Sequence, residues 1–174
     1  MGEFARHAWK SNWIDGAPSE NRRTGAYCTT VLGVREPRVF MTYDGSIKNL
    51  LTLAHELGHG YHSWVMREMP FGLAQYTAGV AETASIFAEA LVRGYMLKTA
   101  KNTEAKKMVL WQELVRISSL LVNIPAHFEI KKTMMEERQQ GVVPLGRIKT
   151  LCSDAWKKWY GDTLSEYNSM FWAS

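Results

Sequence analysis

The stretch that decides how this chain is read is Leu50-Leu51-Thr52-Leu53-Ala54-His55-Glu56-Leu57-Gly58-His59-Gly60-Tyr61-His62-Ser63. His55 and His59 are four apart, so on a helix they sit about 40° apart on its surface, one turn from each other. Two imidazole nitrogens in that relation can converge on one metal ion at ~2.0–2.1 Å. Glu56 falls about 100° from His55, beside the pair, where it can reach a water on the metal without displacing a ligand. Zinc acidifies water and polarises a carbonyl, and a carboxylate takes the proton; together these are the parts of metal-assisted peptide hydrolysis.

The string His-Glu-x-x-His also arises by chance, and its bland reading is a solvated helix. The flanks Leu50, Leu51, Leu53, Ala54 and Leu57 argue otherwise. They make the helix largely apolar, and two histidines and a glutamate are costly to bury there without a task. Gly58 and Gly60 each cost about 1 kcal/mol of helix propensity against alanine. Their presence predicts close approach of another backbone, or of substrate, to this face.

A third ligand is needed. The extended pattern HExxHxxGxxH is absent, because His62 and Val65 stand where it wants Gly and His. Glu82 and Glu89, seven apart in an apolar stretch from Val80 to Leu91, are the alternative. Glu82 is assigned as the third ligand. Glu89 is then placed to accept from the outer nitrogen of a ligand histidine and fix its tautomer. The competing reading pairs Glu89 with Arg93 at i+4. His62 shares the ligand face but lies ~10 Å along the axis from His55, which assigns it a supporting or substrate-side role rather than ligation. His127 reads as structural, and His7 has no readable role.

The rest of the chain sets bounds. Its 174 residues, 46% of them hydrophobic, fit one domain, 1–174, with a sizeable core. Seven tryptophans and nine methionines suggest a piece of something bigger or a chain with a partner surface, and apolar area left exposed in such a piece predicts self-association. The net charge of +4 is spread over pairs such as Arg22-Arg23 and Lys157-Lys158, which argues against nucleic-acid binding. Two distant cysteines make neither a disulfide framework nor a cysteine zinc site, and they fit a reducing compartment. No apolar run approaches the ~20 residues of a membrane span, and Met1-Gly2-Glu3-Phe4 is no signal peptide. A cytoplasmic location is the expectation.

Periodicity predicts a helix end at 3–10 and a loop from Trp13 to Thr24. A β-hairpin follows, with strands 26–31 and 38–43 around a turn at Gly33–Pro37. Helices are expected at about 46–69, stopped by Pro70, and at about 77–99. A stretch over 104–140 should be kinked or split by Pro125, and a last helix over 145–160 should end at Gly161. The tail, 162–174, is ambiguous.

In these motifs the chain resembles the oligoendopeptidase F branch of the thimet-oligopeptidase-like metallopeptidases. The resemblance is carried by Arg23-Thr24-Gly25-Ala26-Tyr27-Cys28, by Thr52 to Ser63, and by Ala81-Glu82-Thr83-Ala84-Ser85-Ile86-Phe87-Ala88-Glu89-Ala90. Weaker matches are Phe4 to Asp15, Phe128-Glu129 and Trp159-Tyr160-Gly161-Asp162. It implies a mainly α, zincin-like catalytic core with one small β-hairpin and HExxH on a central helix. It implies one zinc per chain on His55, His59 and Glu82, with Glu56 as general base. It implies short peptide substrates whose extended backbone pairs with the strand edge at Gly25, Ala26 and Tyr27. Members of the family are several times longer and carry a later His/Tyr-rich motif that stabilises the oxyanion. This chain reaches Phe171-Trp172-Ala173-Ser174 where that motif is expected to begin. Two functional readings therefore stand side by side. One is a zinc endopeptidase core. The other is a zinc- or peptide-binding fragment of weak turnover, since one missing oxyanion donor costs ~10²–10³ in rate. A helical interaction protein with a chance motif is a third.

Overall fold

The computed structural model describes residues 1–19, 22 and 25–173; Arg23 and Thr24 of the first matching motif lie outside the described residues. It divides into two compact units, 1–109 and 110–174.

In the first unit, α1 (Gly2–Lys10) precedes a two-residue strand β1 (Ile14–Asp15), then β2 (Ala26–Val31) and β3 (Glu36–Met41). The sheet order is β1-β3-β2, with β2 antiparallel to β3 from Ala26↔Met41 to Val31↔Glu36 and β1 parallel to β3. The expected hairpin is present, but β3 starts two residues earlier than its sequence suggests, because Pro37 reads as a turn residue. The Val39 N–H donates to Trp13 O at 2.8 Å, on the β1 side. Residues 37 and 39 share parity, so the missing N–H of Pro37 also faces that side, beyond where β1 pairs, and costs no bond to β2. The turn is 32–35, and its left-handed residue is Arg35 (φ 53), held by donation from Nη1 to Arg67 O at 2.7 Å. β1 itself falls in the expected loop.

Ser46 caps α2 (Ile47–Val65), its hydroxyl accepting from the Asn49 N–H at 3.1 Å. This helix ends at Val65, four residues before the expected stop. Pro70 disfavours helical backbone at Met69, and the chain relaxes into tight turns in which Arg67 also donates to Trp64 O at 2.7 Å. Phe4, Ala8 and Trp13 bury one flank of α2 against Leu57, Tyr61 and Trp64. After a 3-10 turn (Phe71–Leu73) comes α3 (Ala78–Thr99), and α4 (Thr103–Ser118) carries the division between the units.

Gly58 sets the distance between α2 and α3. A Cβ there would lie 2.7 Å from Ala84 O and Ser85 Cα and 2.9 Å from Ala88 Cβ. Two of these are backbone atoms that no rotamer change can move. Gly94 in α3 has nothing within 4 Å. Gly58→Ala is therefore expected to lose about 2 kcal/mol, an overpacking cost of ~3 less ~1 of helix propensity, and to melt roughly 8 °C lower. Gly94→Ala should melt at or above the wild-type temperature. Thermal denaturation followed by circular dichroism checks both; equal melting of the two variants would mean α2 and α3 can part freely.

In the second unit, the long helical stretch splits as Pro125 requires. A single π-helical turn (Ser119–Asn123) separates α4 from α5 (Ile124–Arg138), whose first turn holds the proline. Then α6 (Leu145–Tyr160) ends on Gly161 at φ 57. Ala126, Ile130, Cys152, Ala155 and Phe171 form the core of this unit. Glu129 accepts from Trp159 Nε1 at 2.8 Å and from Lys158 Nζ, joining two of the weaker matching stretches. His127 stacks on Phe171 at 3.5 Å, a packing role.

Candidate metal centre

α2 carries His55 and His59 one turn apart, and α3 brings Glu82 to them across the contact at Gly58. His59 Nε2 lies 3.2 Å from His55 Nε2, and Glu82 Oε2 lies 3.3 Å from His55 Nε2 and 3.7 Å from His59 Nε2. Ligands at ~2.0–2.1 Å from a tetrahedral zinc stand roughly 3.3–3.4 Å from one another. The triangle is thus the size that a tetrahedral ion needs. Among the described residues this is the group of His, Cys, Asp or Glu side chains that could hold a metal.

The outer contacts also suit ligation. His55 Nδ1 lies 2.7 Å from Glu89 Oε1, and the His59 ring hydrogen-bonds to the Ala81 backbone. Each histidine thereby has a partner of the kind that orients a ligating imidazole. The single hydroxyl proton of Ser85, fully buried, is within reach of both Glu82 O and Oε2 at 2.9 Å, and so helps to steer the carboxylate of the third candidate ligand.

These donors sit in a recognisable chain. Residues 1–165 match the sequence profile of peptidase family M3. The chain belongs to that family. It is 28% identical over 155 residues to oligopeptidase PepF of Bacillus subtilis (strain 168), covering 88% of this chain and 23% of the relative. It is 37% identical over 101 residues to an oligoendopeptidase F homolog of Mycoplasma genitalium, covering 58% and 17%. A crystal structure given as an oligoendopeptidase F from Bacillus anthracis str. Ames superposes with a TM-score of 0.78 at 19% identity, over 98% of this chain and 30% of that one. This likeness concerns the fold, mainly helical with a small sheet, as expected. The M3 chain spans less than a third of the length of each of these three.

Electrostatics differ between the two histidines of the candidate site. The hydrogen bond to Glu89 raises the His55 pKa against the pull of burial, with nearby carboxylates adding to the rise. Burial lowers that of His59, and the neighbouring His55 adds to this. Glu56 is buried, and burial pushes its carboxyl above the usual range, with Glu82 adding to the rise. The Glu56 carboxylate also takes a backbone hydrogen bond from Cys28 of β2. The Cys28 thiol is pushed up to about 12 by burial, then by the Glu56 charge.

The other expected site residues are spread more widely. Cys28 and Thr30 alternate toward α2, whereas Tyr27 points to the other face of the sheet and stacks on Phe40 at 5.2 Å. Gly25 immediately precedes β2, and Ala26 opens it opposite Met41. β2 is an edge strand among the described residues. His62 stands outside the metal group. Its ring stacks on Tyr76 at 4.2 Å, and its Nδ1 is buried with no hydrogen-bond partner among the described residues. Tyr76 also lines a cleft of about 380 Å³ with Thr30, Arg35, Ser63, Met66 and Phe71. The two readings of Glu89 prove compatible: its second oxygen accepts from Arg93 Nη1 at 2.8 Å. Sequence reasoning missed Ser85, although a serine three residues after a ligand candidate on one helix face was the available signal. It missed Tyr76 because nothing local marks it.

Proposed function

We propose that this M3 chain is the zinc-binding core of an endopeptidase acting on short peptides, with residues 1–174 working as one catalytic core. The observation that carries the reading is the triangle of His55, His59 and Glu82, sized for a tetrahedral ion. His55, His59 and Glu82 would hold one zinc, and Glu89 would orient His55. Bound zinc supplies Lewis acidity toward a peptide carbonyl and toward water. Glu56 takes the proton that the attacking water gives up and passes it to the departing amine. Its burial, which raises its proton affinity, suits a base working near neutral pH. The edge of β2 from Gly25 to Tyr27, unpaired by any strand among the described residues, offers main-chain groups to an extended peptide. The cleft by Ser63, one turn of α2 beyond His59, has room for one of its side chains. Two free thiols and no helix long and apolar enough to cross a membrane, among the described residues, support a cytoplasmic setting. Exposed Trp9, Phe71, Tyr95, Trp111 and Phe128 support self-association.

The test is zinc content together with cleavage of a short quenched peptide. The expected result is near one zinc per chain and cleavage lost on chelation and restored by zinc. Zinc at one per chain without cleavage would select the binding reading, and no zinc after mild purification would overturn both.

A further inference from the structure

We infer that Arg93 is a positioning residue of the metal centre, acting through Glu89 on the ring of His55. The inference rests on the zinc reading given above. Arg93 is 4% exposed, one of the few charged side chains buried among the described residues. Its Nη1 donates to Glu89 Oε2 at 2.8 Å, while the other oxygen, Oε1, faces His55 Nδ1 at 2.7 Å. The Glu89 carboxylate is thus gripped at both oxygens, by groups on two different helices, with its side chain 13% exposed. A carboxylate held at one oxygen can turn about its last bond; one held at both cannot. Fixing Glu89 fixes the Nδ1 side of the His55 ring, and that aims Nε2 at His59 Nε2 and Glu82 Oε2.

A solvated i,i+4 pair would account for the spacing of Glu89 and Arg93 but not for their burial. Taking an arginine and a carboxylate out of water carries a desolvation cost that mutual attraction often only offsets. A buried pair is therefore weak evidence for stability, and its retention beside a ligand histidine needs a reason. Orientation of that ligand supplies one, since outer partners of ligating histidines set ring direction and tautomer.

The test is a double-mutant cycle of wild type, Arg93→Met, Glu89→Gln and the double variant, read as zinc affinity by competition with a chromophoric chelator. Arg93→Met should bind zinc ~10–100-fold more weakly. The double variant should bind no more weakly than Glu89→Gln alone, because Arg93 acts only through Glu89. A second readout uses zinc-free protein: nitrogen-15 spectra of the imidazoles should show His55 protonated on Nδ1 in wild type and as a tautomer mixture in Arg93→Met. If wild type takes up no zinc, the zinc reading fails and this spectrum still judges Arg93. Should Arg93→Met fail to fold by circular dichroism, Arg93→Lys, which keeps the charge but not the planar fork, runs through the same cycle. Losses that multiply in the double variant, or zinc affinity within about 2-fold of wild type with an unchanged His55 tautomer, overturn the proposal.

Discussion

Glu56→Gln is expected to abolish chelator-sensitive cleavage of a short quenched peptide while leaving zinc in place. Glutamine has the shape of glutamate and keeps an oxygen for the hydrogen bond with Cys28 of β2. It cannot accept a proton at neutral pH. General-base catalysis contributes ~10²–10⁴-fold, so kcat should fall by that order with KM little changed. The fold should not suffer, because the substitution removes a carboxylate whose burial is unfavourable. The measurements are single-substrate kinetics, zinc content and melting on the same preparation. Undiminished turnover in the variant would dismiss Glu56 as the base and leave any observed cleavage to a contaminant or another group.

Glu82→Ala is expected to cost more than ~100-fold in zinc affinity. The scale follows from outer partners, whose loss alone is worth ~10–100-fold; removing a ligand must exceed that. Glu89→Ala should fall inside the lower range. The two glutamates differ in burial as well, and that separates metal effects from folding effects. The Glu82 side chain is half exposed, whereas that of Glu89 is 13% exposed and ion-paired. Truncating Glu82 should therefore leave melting of the zinc-free protein nearly unchanged, within about 0.5 kcal/mol. Ser85 keeps the backbone acceptor at residue 82 for its hydroxyl. Chelator competition and melting of the stripped protein check both statements. Normal zinc affinity in Glu82→Ala would remove the third ligand from the scheme.

Much of this centre was legible because helical periodicity fixes neighbours within one element. His55 with His59, and Glu82 with Glu89, are relations internal to α2 and to α3. So are the caps and stops: Ser46, Pro125 and Gly161 act on their own helices wherever those helices lie. What stayed hidden depends on contacts between elements. β1 is two residues long, too short to show alternation, and exists because Val39 reaches back to Trp13. The register of β3 turned on which side Pro37 faces. Arg93 was visible at i+4 from Glu89, but only the approach of α2 shows that one carboxylate serves both Arg93 and His55. Glu56 was marked as a base by its motif, while its hydrogen bond with Cys28 depends on how α2 crosses the sheet.

That crossing has a chemical consequence at Cys28. A thiol pushed up to about 12 by burial and the Glu56 charge presents little thiolate at neutral pH. Alkylating agents, peroxide and disulfide exchange all act on the thiolate. Here burial raises both the Glu56 carboxyl and the Cys28 thiol, and the expected outcome is that Cys28 takes up iodoacetamide far more slowly than a free thiol at neutral pH; equal rates would show that burial gives it no protection.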